Sequence, residues 1–94
     1  MANITGKRFT TINAAANETY TVTLSAGDRA IDMVNNTDDD ILISETNNFT
    51  ESASGSPYLT IPSGGGYNGL RPYKDTFYVK SAGSGTISLV VRRV

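Results

Sequence analysis

The sequence predicts an all-β protein: a small antiparallel β-sandwich, jelly-roll-like, of about seven to eight short strands. Three observations carry this. The first is composition. The chain has 12 Thr, 9 Ser and 8 Asn, while Glu, Lys and Leu are scarce. Thr, Val, Ile, Tyr and Phe suit a pleated, half-buried surface, and the residues that build helices are the ones in short supply. The second is periodicity. Apolar residues recur every second position, and no stretch of ten residues holds a helical period. The third is punctuation, with clusters of Gly, Asn, Asp and Ser separating the runs at regular intervals.

The elements follow in order. "KRFTTIN" (7–13) reads as a first strand, and "NAAAN" (13–17) allows one helical turn at most. "ETYTVTL" (18–24) is the clearest half-buried strand: Tyr20, Val22 and Leu24 face one way, Thr19, Thr21 and Thr23 the other. "SAGD" (25–28) turns the chain. "AIDMVNN" (30–36) sets Ile31 and Met33 on one face, with Val34 beside Asp32 on the other. "TDDD" (37–40) is a polar turn and "ILISE" (41–45) the next strand. A loop is expected over 46–56. "PYLTIP" (57–62) lies between prolines, which suits an edge strand. "TFYVKS" (76–81), the turn "AGSG" (82–85) and "TISLVVRR" (86–93) complete the pattern. The expected interior is Val22, Leu24, Ile31, Ile41, Ile43, Leu59, Ile61, Phe77, Val79, Ile87, Leu89 and Val91.

"SGGGYNGLRP" (63–72) carries Gly64, Gly66 and Gly69 at the G-x-G-x-x-G spacing of a dinucleotide loop. That loop needs a helix after it, whose N-terminus holds the pyrophosphate. Here Pro72 discourages a helix, and no acidic residue follows at the distance the ribose requires. The glycines read instead as backbone freedom in a connector between strands. Tyr67, Leu70, Pro72 and Tyr73 make that connector unusually apolar.

The 94 residues read as one domain, 1–94, with a stability of about 5–14 kcal/mol from the usual per-residue range. The chain has no Cys and no His. It therefore offers no disulfide, no thiolate nucleophile and no imidazole base, and no enzyme is expected. Asp38 and Asp40 alternate in a turn, short of the six or more oxygens that calcium takes, so no metal or other cofactor is expected. A net charge of −1, with Lys7–Arg8 and Arg92–Arg93 at opposite ends, gives no nucleic-acid footprint. No apolar run approaches a membrane span, and "MANITGKRFT" lacks the apolar core of a secretory signal. Tyr58, Tyr67, Leu70, Tyr73 and Tyr78 stand as candidate contact residues, since exposed tyrosines anchor protein contacts or stack on sugars. Leu42, Tyr58, Tyr78, Val90 and Val94 form a second apolar stripe opposite the main one, which suits an association surface or the outer part of a two-sided core.

The runs "RAIDMVNNTDDDILISE", "GSPYLTIPSGGGYNGL" and "TFYVKSAGSGTISLVVRR" resemble small β-rich virion accessory proteins of tailed bacteriophages, of the head decoration type. The matching positions are Asn35, Ile41 to Ser44, Leu59 to Pro62, Phe77 to Lys80 and Gly85 to Val91, within residues 30–92. The resemblance carries no catalytic motif. It implies a structural protein made in the bacterial cytoplasm and bound to the capsid exterior, with the major capsid protein lattice as partner. It also implies self-association, as a trimer on the local threefold axes. Two other roles stay open: a carbohydrate- or receptor-binding module stacking sugars on Tyr58, Tyr67 and Tyr73, and a head-completion or tail-joining protein.

Overall fold

The computed structural model describes residues 2–5, 9–24, 28–46, 49, 58–71 and 75–93. They form nine strands: β1 (Ala2–Thr5), β2 (Phe9–Ala14), β3 (Thr19–Thr23), β4 (Asp28–Thr37), β5 (Ile41–Ser44), β6 (Leu59–Ile61), β7 (Gly66–Leu70), β8 (Thr76–Ser81) and β9 (Gly85–Arg93). No helix occurs among the described residues. One sheet has the order β2-β9-β4-β7 and the other β1-β3-β8-β5-β6. Eight strands thus make two antiparallel sheets of four, and β1 extends the second by pairing parallel to β3.

Alternation builds each layer. In β3 and β8 every second residue is buried, and the register Tyr20↔Val79 and Val22↔Phe77 aligns the buried sets of the two strands. In the other sheet Ile31↔Val91 and Met33↔Leu89 do the same for β4 and β9. Both inner faces meet in one core, where Val22, Ile31, Met33, Ile41, Phe77, Val79 and Ile87 have no exposed surface. Burying one such side chain stabilises the fold by about 1.5–3 kcal/mol. Every residue expected inside is buried except Leu59. That one is half-buried because it lies on β6, the edge of its sheet, which is where the flanking prolines place it. Ile12, Ala14, Tyr20 and Met33 complete the core.

The glycine segment departs from its reading as a connector. Residues 62–65 are the turn, and 66–70 form the edge strand β7. Tyr67 lies opposite Met33 and Leu70 opposite Ile31, so Asn68 and Gly69 of β7 stand against Asp32 alone on β4. That bulge breaks the alternation and hides the strand. Gly64 and Gly69 supply the left-handed backbone it needs, at φ 78° and 74°. β1 is the other strand without a sequence signal.

A buried polar cluster ties the turns together. Asn35 has no exposed surface. Its Nδ2 donates to the carbonyls of Asp39 (2.8 Å) and Ile61 (2.9 Å). Its Oδ1 accepts from the Thr37 amide (2.9 Å) and the Thr37 hydroxyl (2.6 Å). The Asn35 backbone bonds Gly64 and Gly65, and the Ser63 hydroxyl donates to the Thr37 carbonyl. The side chain thus joins the end of β4, the turn before β5 and the end of β6, a strand of the other sheet, while the Asn35 backbone holds the β6–β7 turn.

Candidate functional site

The outer faces of the two sheets differ. The β1-β3-β8-β5-β6 sheet presents Thr19, Thr21, Thr23, Thr76, Tyr78, Lys80 and Leu42, all half-buried. Tyr78 lies between Thr21 and Ser44, and Lys80 between Thr19 and Leu42. Close neighbours on a pleated face leave each of these only partly open.

The β2-β9-β4-β7 sheet is more open. Phe9 on β2 lies opposite Val90 on β9, and Val90 lies opposite Asp32 on β4. One step along, Thr11, Ser88 and Val34 form the next row. Phe9, Val90 and Val34 therefore run diagonally across the face, with Val90 the direct neighbour of Phe9 and a diagonal neighbour of Val34. Phe9 is 72% exposed and Val34 42%; Tyr67, on the edge strand of the same sheet, is 40% exposed. Among the described residues these are the three large apolar side chains left exposed, and all three belong to this sheet. Its charges are muted: Asp32 Oδ1 meets Arg92 Nη2 at 3.0 Å and also accepts from the Gly69 amide at 2.8 Å. The second bond fixes the β7 bulge onto β4. Thr11, Asn13, Asn36, Thr86 and Ser88 supply the rest of the face, polar and neutral.

The sequence-based candidates scatter over this frame. Tyr67 and Leu70 lie on β7, and Leu70 packs half-buried against the core. Tyr58 sits half-buried just before β6, the matching edge of the other sheet. Tyr78 faces outward from the middle of that other sheet, away from β7. Tyr73 lies outside the described residues, as does Val94. Of the second apolar stripe, Leu42 and Tyr78 fall on one sheet and Val90 on the other. They do not make one patch. Phe9 went unsingled, although it shares parity with Thr11 and Asn13 and opposes Ile12, which places it outward in any strand reading of 7–13.

The acidic turn has structural work. Asp38 Oδ1 accepts from the Ser84 amide at 2.9 Å, and Asp39 Oδ1 from the Asp40 amide at 2.8 Å. Among the described residues no group of three His, Cys, Asp or Glu side chains could hold a metal ion. The dinucleotide spacing is followed by the end of a strand, where a phosphate loop would need a helix.

Comparison with known proteins gives no match. No family model, no curated protein and no solved structure matches the chain. What the arrangement offers chemically is a sheet face with an exposed apolar diagonal and, among the described side chains, a paired Asp32 and Arg92, a form suited to docking on another protein.

Proposed function

We propose that this chain is a capsid decoration protein of a tailed bacteriophage: a non-enzymatic jelly-roll domain that attaches to the outside of the assembled head through its β2-β9-β4-β7 sheet. One observation carries the docking side. Two of the three exposed large apolar residues, Phe9 and Val34, stand on the outer face of that sheet, and the third, Tyr67, lies on its edge strand opposite the buried Met33. The strand order supports the finer fold reading. β2-β9-β4-β7 and β3-β8-β5-β6, with successive strands passing mostly from one sheet to the other, is the order of an eight-strand jelly roll, an architecture of viral capsid and lectin domains. β1 is an addition to it. The phage context and the lattice partner rest on the resemblance of residues 30–92.

The test is attachment to heads that lack the protein. Purified chain is titrated onto such capsids, and bound copies are counted after sedimentation. Phe9→Ala with Val34→Ala is expected to weaken attachment by about 2 kcal/mol, roughly 30-fold, with the isolated fold intact. Saturable binding to tails but not heads would move the protein to the joining role. Binding to a glycan array with none to capsids would move it to sugar recognition.

A further inference from the structure

The β7 bulge holds a peptide that can react with its own side chain. Asn68 and Gly69 are the one Asn-Gly pair in the sequence. In such a pair the glycine nitrogen can attack the asparagine side-chain amide, because no Cβ shields it; asparagine counts among the thermally labile residues for this kind of reason. The fold sets the pair apart from the regular ladder. Asn68 is exposed. The paired residues of β7 and β4 stop at Tyr67↔Met33 and resume at Leu70↔Ile31, so the Asn68–Gly69 peptide lies in the gap. At Gly69 φ is 74°, and the atom nearest to the place of a Cβ is Arg92 Nη2, at 3.8 Å. The Gly69 amide, which is the attacking group, donates to Asp32 Oδ1 at 2.8 Å.

We propose that the Asn68–Gly69 peptide is a self-modification site, gated by the hydrogen bond from its amide to Asp32. In the reaction the Gly69 nitrogen gives its proton to a solvent base and attacks Cγ of Asn68. The new N–C bond closes a succinimide ring, the Cγ–nitrogen bond of the side chain breaks, and that nitrogen takes a proton from water and leaves as ammonia. Water then opens the ring at either carbonyl, leaving aspartate or isoaspartate at position 68. The bond to Asp32 opposes the first step in two ways. It engages the proton that must leave, in a charge-assisted hydrogen bond. It also sets a carboxylate against the nitrogen on which negative charge develops, and like charges repel. The gate opens when the bulge parts from β4, a local opening that leaves the core packed. The product adds a carboxylate to the edge strand next to Tyr67, close to the Asp32–Arg92 pair. Isoaspartate also lengthens the main chain by one atom, at the bulge where the strand already carries an extra residue.

The proposal concerns the purified chain and stands apart from the capsid reading. Native chain and variants, each shown folded by circular dichroism, are incubated at one pH and temperature beside native chain unfolded in urea. Conversion at position 68 is read by peptide mass mapping and by enzymatic methylation of isoaspartate. The unfolded chain is expected to convert faster than the folded one. Folded Asp32→Asn is expected to convert faster than native by about tenfold or more, the least that breaking a hydrogen bond to a charged group returns. Should Asp32→Asn misfold, Asp32→Ser takes its place. Arg92→Gln breaks the ion pair and keeps the Gly69 bond, so it is expected to convert no faster than native. The rate in the Asp32 variant is expected to stay flat in urea below the unfolding transition, since a local opening exposes little surface. Equal rates in the native folded and unfolded chains, no acceleration in either Asp32 variant, acceleration in Arg92→Gln to match them, a rate that climbs with urea as global unfolding does, or earlier conversion at another asparagine would each overturn the proposal.

Discussion

Replacing Asn35 by alanine tests whether one buried side chain holds the two sheets in place. The side chain makes four hydrogen bonds and has no exposed surface. In Asn35→Ala the Thr37 hydroxyl, released from Asn35 Oδ1, turns its one hydrogen to the Asp39 carbonyl 2.7 Å away. The Ile61 carbonyl and the Thr37 amide lose the bonds that Asn35 gave them. A buried backbone group left unsatisfied costs about 1–3 kcal/mol, so the pair costs about 2–6, and water entering the vacated space draws the figure toward the lower half. We expect about 2–4 kcal/mol, a large share of the 5–14 kcal/mol usual for this length. At about 4–8 °C per kcal/mol the melting temperature falls by roughly 8–32 °C. Asn35→Asp refines the test. Its carboxylate would face the two carbonyls that the amide nitrogen now serves. Burial and those oxygens raise the folded pKa of the introduced group above the unfolded value of about 3.9. The unfolded chain then ionises first as pH rises. The deficit against the native chain is therefore small below pH 3.9, and it grows with pH until the folded pKa is passed. Urea melts of both variants at pH 4 and pH 7 measure it. A loss under 1 kcal/mol for Asn35→Ala, together with a pH-independent Asn35→Asp, would refute the assignment of the cluster as the link between the turns.

Leu89→Ala removes a nearly fully buried side chain from the strand that pairs with both β2 and β4, and is expected to cost about 2–5 kcal/mol in denaturant melts. Gly83→Ala is expected to destabilise by more than 1 kcal/mol, because the new Cβ would run into the Asp38 carboxylate and lie 2.8 Å from the Asp39 amide nitrogen; a melt within 2 °C of native would show that the two turns yield freely. Gly69→Ala is expected to cost about 1–2 kcal/mol, since φ there is 74° while a Cβ would meet the Arg92 guanidinium at an ordinary 3.8 Å, and Gly69→Asn should recover part of the loss in the same assay.

The alternating strands were legible because nothing interrupts them. From Thr19 to Thr23 and from Thr76 to Ser81, parity alone separates core from surface. β7 was hidden because its bulge sets Tyr67 and Leu70, three apart, on the same side, which no period-two search detects. β1 was hidden because "ANIT" is short and pairs in parallel, with no hairpin turn beside it to mark the partner. The candidate surface was harder to read. Parity tells which way Phe9, Val34 and Tyr78 point, but exposure depends on which strands lie alongside. Tyr78 sits in mid-sheet between Thr21 and Ser44, while Phe9 is on an edge. That is a property of strand order, and strand order is set by pairings between residues far apart in the chain.

β9 lies between β2 and β4, and through that position it governs when the protein can form during synthesis. β2 and β4 share no ladder of their own; each pairs with β9, and the two are neighbours only through it. The pairing partners are separated by roughly fifty to eighty residues, which makes closure slow compared with local hairpins. While Gly85–Arg93 is still inside the ribosome, β2 and β4 present edges with no partner, and the apolar sides that face the core have no finished layer to complete it. The layer therefore stays unfinished until Gly85–Arg93, the last of the nine described strands in chain order, leaves the ribosome and enters between its two neighbours.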